Sequence, residues 1–369
     1  MGKKNKRKKI GIVIWNFEYR VGGAERVCNY LKKILEERYS VEIIDKNSIP
    51  TRLLIVFSPF LFYFPEITST YLLNQEVNRR KKDLDLIITN GFNGAFLKKI
   101  EVPRINIYHG FMKGYRKILK KYLGFKRNQY LKILEKLEIL SGRNSTNVVV
   151  NREYKKIVEK RYKIKIHEVI YNGIDTHLFR PASLEEKIYL RKKYNLPLNK
   201  PLILFTGRME IGKGVDILKK VIQKKKNLHF LLLTNRDLKY YPQFKTFSNV
   251  SIFLEVHYST LPEFYKCADV FFLPSRFEAC ELSTLEAISA GLIPVGFEVG
   301  IMQLIKKELE MGYILPVNAD IMKIERKMGE AVNKIGDQVY IQKLRNFVEK
   351  NFSLDIFKKK WIKLISKVI

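Results

Sequence analysis

Short apolar runs alternate with segments of helical periodicity along most of the chain, and this alternation limits the fold more than any other feature. The runs are rich in β-branched and aromatic residues. Short strands that are separated by helices predict a parallel sheet with helices on both faces. The predicted strands are 10–15, 41–44, 86–88, 104–107, 147–150 and 168–171 in the first half, and 202–205, 230–233, 251–254, 270–273 and 292–295 in the second. We therefore expect an α/β fold built on doubly wound parallel sheets.

The length of 369 residues predicts two domains, because a single hydrophobic core rarely grows beyond about 250–300 residues. Prolines frame a polar helical segment near the middle of the chain, which predicts a linker there. The last residues are amphipathic and basic, and we expect them to form a terminal helix that packs back on the first domain. The predicted divisions are a first domain at 1–182, a linker at 183–199, a second domain at 200–352 and the terminal helix at 353–369.

The formal charge of +32, from 69 Lys and Arg against 37 Asp and Glu, predicts an anionic partner. Nucleic acid, a membrane surface and a phosphorylated substrate all satisfy this charge, which does not choose among them. Three cysteines without a CxxC pair argue against a disulfide framework and against a zinc site, and we expect no metal. They favour a reducing, cytoplasmic location. No apolar run reaches the roughly 18–20 residues of a membrane-spanning helix.

Two segments of the first half break the alternation and predict an interaction surface. Residues 53–65 are apolar and aromatic, but Pro59 makes them poor as a regular helix or a central strand. Residues 113–134 carry eight Lys or Arg and no Asp or Glu, with aromatic and aliphatic residues between them. One interpretation is a surface helix whose lysines are only solvated. The other is a rim that lies against anionic lipid at the cytoplasmic face of a membrane, with nucleic acid the least favoured partner.

Two glutamates follow the apolar strand 270–273 in the second half. Glu278 is expected in the loop at the carboxyl end of this strand, and Glu286 in the first turns of a helix that opens near Ser283 or Thr284. Ligands of open α/β sheets bind just outside the carboxyl ends of strands, which favours a functional site. The alternative is structural, because Ser283 and Glu286 also have the spacing of a capping box that satisfies the helix's own N–H groups.

Two cations and a glycine turn follow other predicted strands. Arg208 and Lys213 lie among glycines after strand 202–205, which suits a diphosphate because Arg binds two oxygens at once and Lys adds a mobile charge. Gly22 and Gly23 follow the first strand and open a helix, so that backbone N–H groups point toward the sheet edge. The alternative is that the cations are solvated and the glycines form only a tight turn. If functional, all these residues would face one cleft between two Rossmann-like sheets.

In this order, the motifs resemble the two-domain GT-B retaining glycosyltransferases of family 4, often called group 1. Glu278 and Glu286 have the spacing of that family's E-x7-E motif. The resemblance covers nearly the whole chain and implies a GT-B fold, with two Rossmann-like domains facing across a cleft. It rests on Gly22-Gly23-Ala24-Glu25-Arg26, Asn172-Gly173-Ile174-Asp175, Phe179-Arg180-Pro181, Gly207-Arg208 with Lys213-Gly214, Pro274-Ser275-Arg276-Phe277-Glu278, Leu285-Glu286-Ala287 and Gly291-Leu292-Ile293-Pro294.

The resemblance implies a role for each candidate residue. Arg208 and Lys213 would stabilise the departing diphosphate, so that neither a metal nor a cofactor is required. Glu286 would hold the nucleotide ribose, Glu278 would bind the sugar or steady positive charge at its anomeric carbon, and His109 would orient the sugar. The implied donor-binding set also includes Gly22, Gly23, Ser283, Thr284 and Leu285, the last three through N–H groups at a helix start.

The implied function is a retaining hexosyltransferase of polysaccharide or glycolipid biosynthesis. It would move a sugar from a UDP- or GDP-linked donor on the second domain to a glycan or lipid-linked acceptor on the first, by front-face attack. Ala279-Cys280-Glu281 and Val299-Gly300-Ile301 depart from the family pattern and leave the donor sugar open. The alternative function is a non-enzymatic protein on a GT-B scaffold that binds a polyanion or a membrane, which depends on the +32 charge.

Overall fold

The computed structural model describes residues 7–17, 22–97 and 101–369, and the chain divides into two compact units. Unit 1 comprises Met1–Asn172 together with Phe357–Ile369, and unit 2 comprises Gly173–Ile356. The first unit therefore ends earlier than the predicted boundary at residue 182.

Unit 1 contains a six-stranded parallel sheet in its described residues. The strands are β1 (Lys9–Val13), β2 (Ser40–Ile44), β3 (Leu86–Asn90), β4 (Arg104–Tyr108), β5 (Thr146–Val149) and β6 (Glu168–Val169). Their order in the sheet is β2-β1-β3-β4-β5-β6. Every residue of the central strands β3 and β4 is buried, including polar ones: Thr89 Oγ1 of β3 donates to Asn106 Oδ1 of β4 over 2.7 Å.

Helices cover the sheet of unit 1. They are α1 (Gly23–Glu36), α2 (Thr51–Val56), α3 (Ser58–Tyr63), α4 (Pro65–Arg80), α5 (Met112–Leu119), α6 (Phe125–Gly142) and α7 (Arg152–Tyr162). The expectation that 53–65 is a poor helix is wrong in part, because α2 and α3 are helices of six residues each, separated at Phe57. Pro59 is tolerated because it lies in the first turn of α3, where its missing N–H has no helical partner.

Unit 2 contains a second six-stranded parallel sheet, and all of its backbone lies within the described residues. The strands are β7 (Leu202–Thr206), β8 (His229–Thr234), β9 (Val250–Leu254), β10 (Val270–Leu273), β11 (Ile293–Phe297) and β12 (Tyr313–Leu315). Their order is β12-β11-β10-β7-β8-β9. The sequence did not predict β12, whose three residues carry too little pattern. Two parallel sheets with flanking helices confirm the α/β, doubly wound prediction.

The helices of unit 2 include one that replaces the predicted linker. They are α8 (Leu184–Lys193), α9 (Val215–Lys224), α10 (Leu261–Cys267), α11 (Leu282–Ser289), α12 (Gly300–Leu309), α13 (Ile321–Val332) and α14 (Gln338–Phe352). α8 occupies most of 183–199 and is part of unit 2, because buried Arg191 donates to the Cys267 carbonyl oxygen over 2.9 Å and to Asp269 over 2.7 Å. A last helix, α15 (Leu354–Val368), belongs to unit 1 from Phe357 onward.

Candidate functional site

The carboxyl edge of the unit 2 sheet brings together a lysine and a glutamate from two loops. Lys213 ends a short 3-10 helix between β7 and α9, and Glu278 lies in the loop after β10. Lys213 Nζ donates to Glu278 Oε1 over 2.6 Å, with 25% and 10% of the two side chains exposed. Two predicted site residues that are 65 positions apart in the sequence therefore meet in the structure.

Arg276, which follows β10, holds the loop that carries Lys213. Its Nη1 and Nη2 donate to the two carboxylate oxygens of Asp216 over 2.8 and 2.7 Å, and Nη1 also donates to the Ile211 carbonyl oxygen over 2.6 Å. Burial raises the pKa of Asp216, but the hydrogen bonds and charge of Arg276 outweigh it and hold that pKa below its usual value. A bidentate pair of this kind fixes direction as well as distance, so it orients the Lys213 loop.

Gly214 lets the same loop approach β10 closely. Its φ of +74° lies in the left-handed region that disfavours side chains. An added Cβ would also lie 2.7 Å from the carbonyl carbon of Pro274. Glycine is therefore required directly after Lys213 for two independent steric reasons.

Arg208 is more exposed than Lys213. Its Nη2 lies 3.1 Å from Glu210 Oε1, and 58% of its side chain is exposed. An exposed ion pair contributes only about 0–1 kcal/mol to stability. Arg208 can therefore exchange Glu210 for another anion at little cost.

The structure contradicts the capping-box alternative at α11. This helix begins at Leu282, one residue before the earliest predicted start, and its N-cap residue is Glu281. Ser283 therefore lies inside the first turn rather than at the cap position, and the Glu281 side chain makes no capping hydrogen bond to α11. Because the register is shifted, Ser283 and Glu286 are not placed to form the box.

Glu286 is the most deeply buried of the predicted site residues. Its carboxyl group is fully buried, and Oε2 accepts a hydrogen bond from Tyr265 Oη of α10 over 2.9 Å. Thr284 and Leu285 are also buried, whereas Ser283 is half-buried. The predicted donor-binding residues of α11 are thus covered to different degrees, and Ser283 is the most accessible.

Glu281 connects the loop after β10 to the start of α12. The Ile301 N–H donates to both of its carboxylate oxygens, over 3.1 and 3.2 Å. Gly300 has a φ of +51°, and an added Cβ there would lie 2.9 Å from Glu281 Cδ. Burial and then the charge of Glu278 raise the pKa of Glu281 to about 8. The two segments that depart from the family pattern, 279–281 and 299–301, therefore contact each other through Glu281 and the Ile301 N–H.

In unit 1, Gly22 and Gly23 lie at the start of α1, as the sequence predicts. Gly22 is the N-cap residue with an extended backbone, and Gly23 is the first helical residue. An added Cβ at Gly22 would meet only the flexible end of Glu25, and one at Gly23 would meet nothing within 4 Å. Backbone strain therefore does not explain either glycine. Residues 18–21, just before this turn, lie outside the described residues.

His109 follows β4 and is oriented by Asn90 at the end of β3. Asn90 Nδ2 donates to the Val13 carbonyl oxygen over 3.1 Å, so Oδ1 is the acceptor that faces His109 Nε2 at 2.8 Å. The imidazole therefore carries its proton on Nε2, and Nδ1 is an acceptor. Burial lowers the pKa of His109 to about 4, so the ring is neutral near physiological pH.

Sequence reasoning missed Asn90 and Tyr265. Asn90 is a polar residue at the end of an apolar strand, and the strand-edge argument used for Glu278 could have found it. Tyr265 gave no such signal, because its contact depends on how α10 packs beside α11. Among the described residues, no group of three or more His, Cys, Asp or Glu is arranged to hold a metal ion.

No helix in the described ranges combines the length and the apolar character that crossing a membrane requires.

Two family models match the chain. The one described as "Glycosyl transferases group 1" matches residues 186–349, within unit 2. The one described as "Glycosyltransferase Family 4" matches residues 21–178, almost all in unit 1.

Curated relatives are similar over part of their length. The chain is 31% identical over 205 residues to an uncharacterized glycosyltransferase of Methanocaldococcus jannaschii, which covers 51% of this chain and 52% of that protein. It is 29% identical over 156 residues to a glycogen synthase of Clostridium novyi, which covers 36% of this chain and 33% of that protein. The chain therefore matches about half of the first relative and a third of the second.

Solved structures are similar over nearly the whole chain. A sucrose-phosphate synthase from Thermosynechococcus elongatus has a TM-score of 0.78 at 16% identity and covers 98% of this chain and 99% of its own. The Anabaena protein HepE in complex with UDP and glucose has a TM-score of 0.72 at 17% identity, and the similarity covers 97% of this chain and 99% of HepE. At these identities the similarity shows the fold alone.

Proposed function

Because the chain belongs to the group 1 glycosyltransferases of GT-B fold, we propose that it transfers a sugar from a nucleotide-diphosphate sugar to a glycan or lipid-linked acceptor. The observation that carries the proposal is the pair of Lys213 and Glu278, which sets a cation and a carboxylate side by side at the carboxyl edge of a sheet. HepE, of the same fold, is solved with UDP and glucose. This supports testing UDP-linked hexoses first, with GDP-linked sugars beside them.

Arg208 and Lys213 bind the diphosphate of the donor in this proposal. Lys213 exchanges Glu278 for a phosphate oxygen, and Arg208 gives up its exposed pair with Glu210. Hydrogen bonds to charged groups contribute about 1.5–3 kcal/mol each, which exceeds the about 0–1 kcal/mol of an exposed pair. The exchange at Arg208 therefore favours the bound donor. Lys213 exchanges one charged partner for another and releases the Glu278 carboxylate toward the sugar.

Negative charge develops on the departing phosphate, and the same groups stabilise it. The N–H groups at the start of α11 add the partial positive charge of a helix N-terminus. Arg208 and Lys213 provide the positive charge that a divalent metal provides in other phosphate-transfer sites. The proposed reaction is therefore independent of a metal and uses no cofactor besides the donor.

The proposed reaction retains the anomeric configuration. The bond between the anomeric carbon and the β-phosphate oxygen breaks, the acceptor oxygen attacks from the same face, and the acceptor proton passes to the departing phosphate. Glu278 binds a sugar hydroxyl and steadies positive charge at the anomeric carbon. Unlike the two-carboxylate scheme of retaining glycosidases, no carboxylate acts as a nucleophile.

Two further residues hold hydroxyl groups in the proposal. Glu286 accepts from the ribose hydroxyls after exchanging its hydrogen bond with Tyr265. His109 accepts from a sugar hydroxyl through Nδ1, the nitrogen that does not face Asn90.

The test is a panel of UDP- and GDP-linked sugars, measured by calorimetry and thermal unfolding. We expect one of them to bind specifically, and Arg208→Ala or Lys213→Ala to weaken this binding about 10- to 100-fold. Lys220→Ala is the matched control, because Lys220 is an exposed lysine of α9 in the same unit and should bind as the wild type does.

Product formation tests the finer parts of the proposal. Transfer should continue in EDTA, and NMR of the product should show the anomeric configuration of the donor. If no nucleotide sugar binds while duplex DNA binds with a steep salt dependence, the polyanion-binding alternative replaces the glycosyltransferase proposal. An inverted product would reject front-face attack alone.

A further inference from the structure

Exposed apolar side chains cluster on α2 and α3 and at Phe64, which links α3 to α4. Phe62 and Tyr63 are 80% and 70% exposed, and their ring centroids lie 5.1 Å apart. We call this cluster the aromatic ridge, and its members are Ile55, Val56, Phe60, Phe62, Tyr63 and Phe64. Contiguous exposed apolar side chains mark an interaction surface, because folding leaves isolated ones far more often than groups.

The aromatic ridge stands on a packed scaffold. The opposite faces of α2 and α3 pack against the hydrophobic core of unit 1 through Leu53, Leu54, Phe57 and Leu61. Phe57 also lies 5.9 Å from the ring of Tyr71 in α4. The outward direction of the ridge is therefore set by the fold of unit 1.

Exposed lysines lie on the adjoining helices α5 and α6 and on the short 3-10 helix Lys120–Tyr122 between them. We call Lys117, Lys120, Lys121 and Lys126 the basic flank, and all four are exposed. Phe125, between them, is 77% exposed. Their segment, 113–134, contains eight Lys or Arg and no Asp or Glu. This surface is therefore both basic and apolar.

The ridge and the flank are neighbours in space. The Phe64 ring lies 6.3 Å from the Tyr130 ring of α6. Tyr130 Oη also donates to Glu66 Oε2 over 2.6 Å, and Arg127 lies 3.8 Å from the other oxygen of Glu66. These contacts join the start of α4 to the first turns of α6, so the two clusters form one surface.

The nearby acidic side chains are already paired with cations or hydroxyl groups. Glu66 is bound as described, and Glu135 pairs with Arg116 at 3.1 Å and with Lys113 at 3.3 Å. The remaining charge that this surface presents is therefore positive and complements an anionic partner.

We propose that the aromatic ridge and the basic flank bind an anionic phospholipid bilayer. The apolar side chains insert among the headgroups, and the lysines bind lipid phosphates. A bilayer accounts for both halves of the surface at once. Nucleic acid would account for the lysines and the rings but not for Ile55 and Val56, which offer no ring on which a base could stack.

The place of the surface in unit 1 fits a membrane-bound substrate. α2 follows the carboxyl end of β2, and α5 follows the carboxyl end of β4, directly after His109. The strands are parallel, so both segments leave the sheet at the edge that holds His109. A bilayer on this surface would bring lipid headgroups to the same side of unit 1. Lipid binding itself does not depend on the proposed transfer reaction.

The test is flotation of the full-length chain with vesicles of phosphatidylcholine alone or mixed equally with phosphatidylglycerol. We expect binding to the mixed vesicles only. Near an anionic surface each lysine contributes roughly a fivefold gain in partitioning, so Lys117→Glu, Lys120→Glu, Lys121→Glu and Lys126→Glu combined should weaken binding at least about tenfold. Phe62→Ser alone should also weaken it, and this side chain is too exposed for its loss to unfold unit 1.

Matched controls come from exposed residues of unit 2. Lys192→Glu, Lys200→Glu, Lys220→Glu and Lys226→Glu combined change the net charge equally, and Tyr189→Ser removes a ring that is 66% exposed. Both controls should float as the wild type does. Nucleotide binding, measured in parallel, should be unchanged in every variant. The proposal is overturned if the wild type does not float with anionic vesicles or if the surface variants float as the wild type does. It is also overturned if the surface variants lose binding to duplex DNA while they keep binding to lipid.

Discussion

Replacing Gly214 by alanine tests how the Lys213 loop is held. The left-handed φ of +74° costs a side chain about 1–2 kcal/mol. The new Cβ would lie 2.7 Å from the Pro274 carbonyl carbon, against an optimum of about 3.5–4.0 Å. The loop or the end of β10 must therefore move by about 1 Å, and forced overpacking costs about 1–3 kcal/mol more. We expect Gly214→Ala to lower the free energy of unfolding by about 2–5 kcal/mol.

The measurement is urea unfolding together with calorimetry of the bound nucleotide. Because the displaced loop carries Lys213, nucleotide affinity should fall with stability. Gly329→Ala is the control: Gly329 lies in α13, and an added Cβ there would meet nothing within 4 Å. That change should instead stabilise by about 0.5–1 kcal/mol. Equal stabilities of Gly214→Ala and the wild type would refute the steric reasoning, and unchanged nucleotide affinity in a destabilised variant would refute the link to Lys213.

Three further predictions use buried polar groups, and urea unfolding checks each. The raised pKa of Glu281 means that the folded state keeps a proton which the unfolded chain has lost. The contribution of Glu281 to stability therefore falls by on the order of 4 kcal/mol as the pH rises from 4.5 to about 8. Glu281→Gln should lack this loss, and a pH profile of stability identical to that of the wild type would contradict the prediction. The lowered pKa of His109 acts in the opposite direction, so stability falls by about 3 kcal/mol as the pH falls from 6.5 to about 4, and His109→Asn should remove this fall. Tyr265→Phe deletes the hydrogen bond to buried Glu286 and should cost about 1–3 kcal/mol, whereas no loss would show that the bond adds nothing.

The fold was predictable because most strands of the two parallel sheets contain a short apolar run. Each predicted strand overlaps an observed one, since runs such as 270–273 need no knowledge of their neighbours to be recognised. β12 was not predicted from the sequence, because it has three residues and only Leu315 is buried. α2 and α3 were misjudged because Pro59 falls where a helix tolerates it.

The domain boundary was harder to predict because it depends on contacts distant in sequence. The segment 183–199 is polar and framed by prolines, as a linker would be. Arg191 nevertheless ties α8 to Asp269 in unit 2. No local pattern reveals that pairing, because both partners are ordinary surface residue types until they meet.

The sequence by itself determined which polar residues stand at the ends of strands, because an apolar run and the residue that ends it are local features. Lys213 and Glu278 were found in this way, whereas His109 was implied by the resemblance to the family. Only the tertiary structure decided their partners: Glu278 for Lys213, Tyr265 for Glu286, and the Ile301 N–H for Glu281. The physical reason is that a partner depends on register and on close approach. One residue of shift at the start of α11 removes the capping box, and two glycines at positive φ let separate loops come within hydrogen-bonding distance.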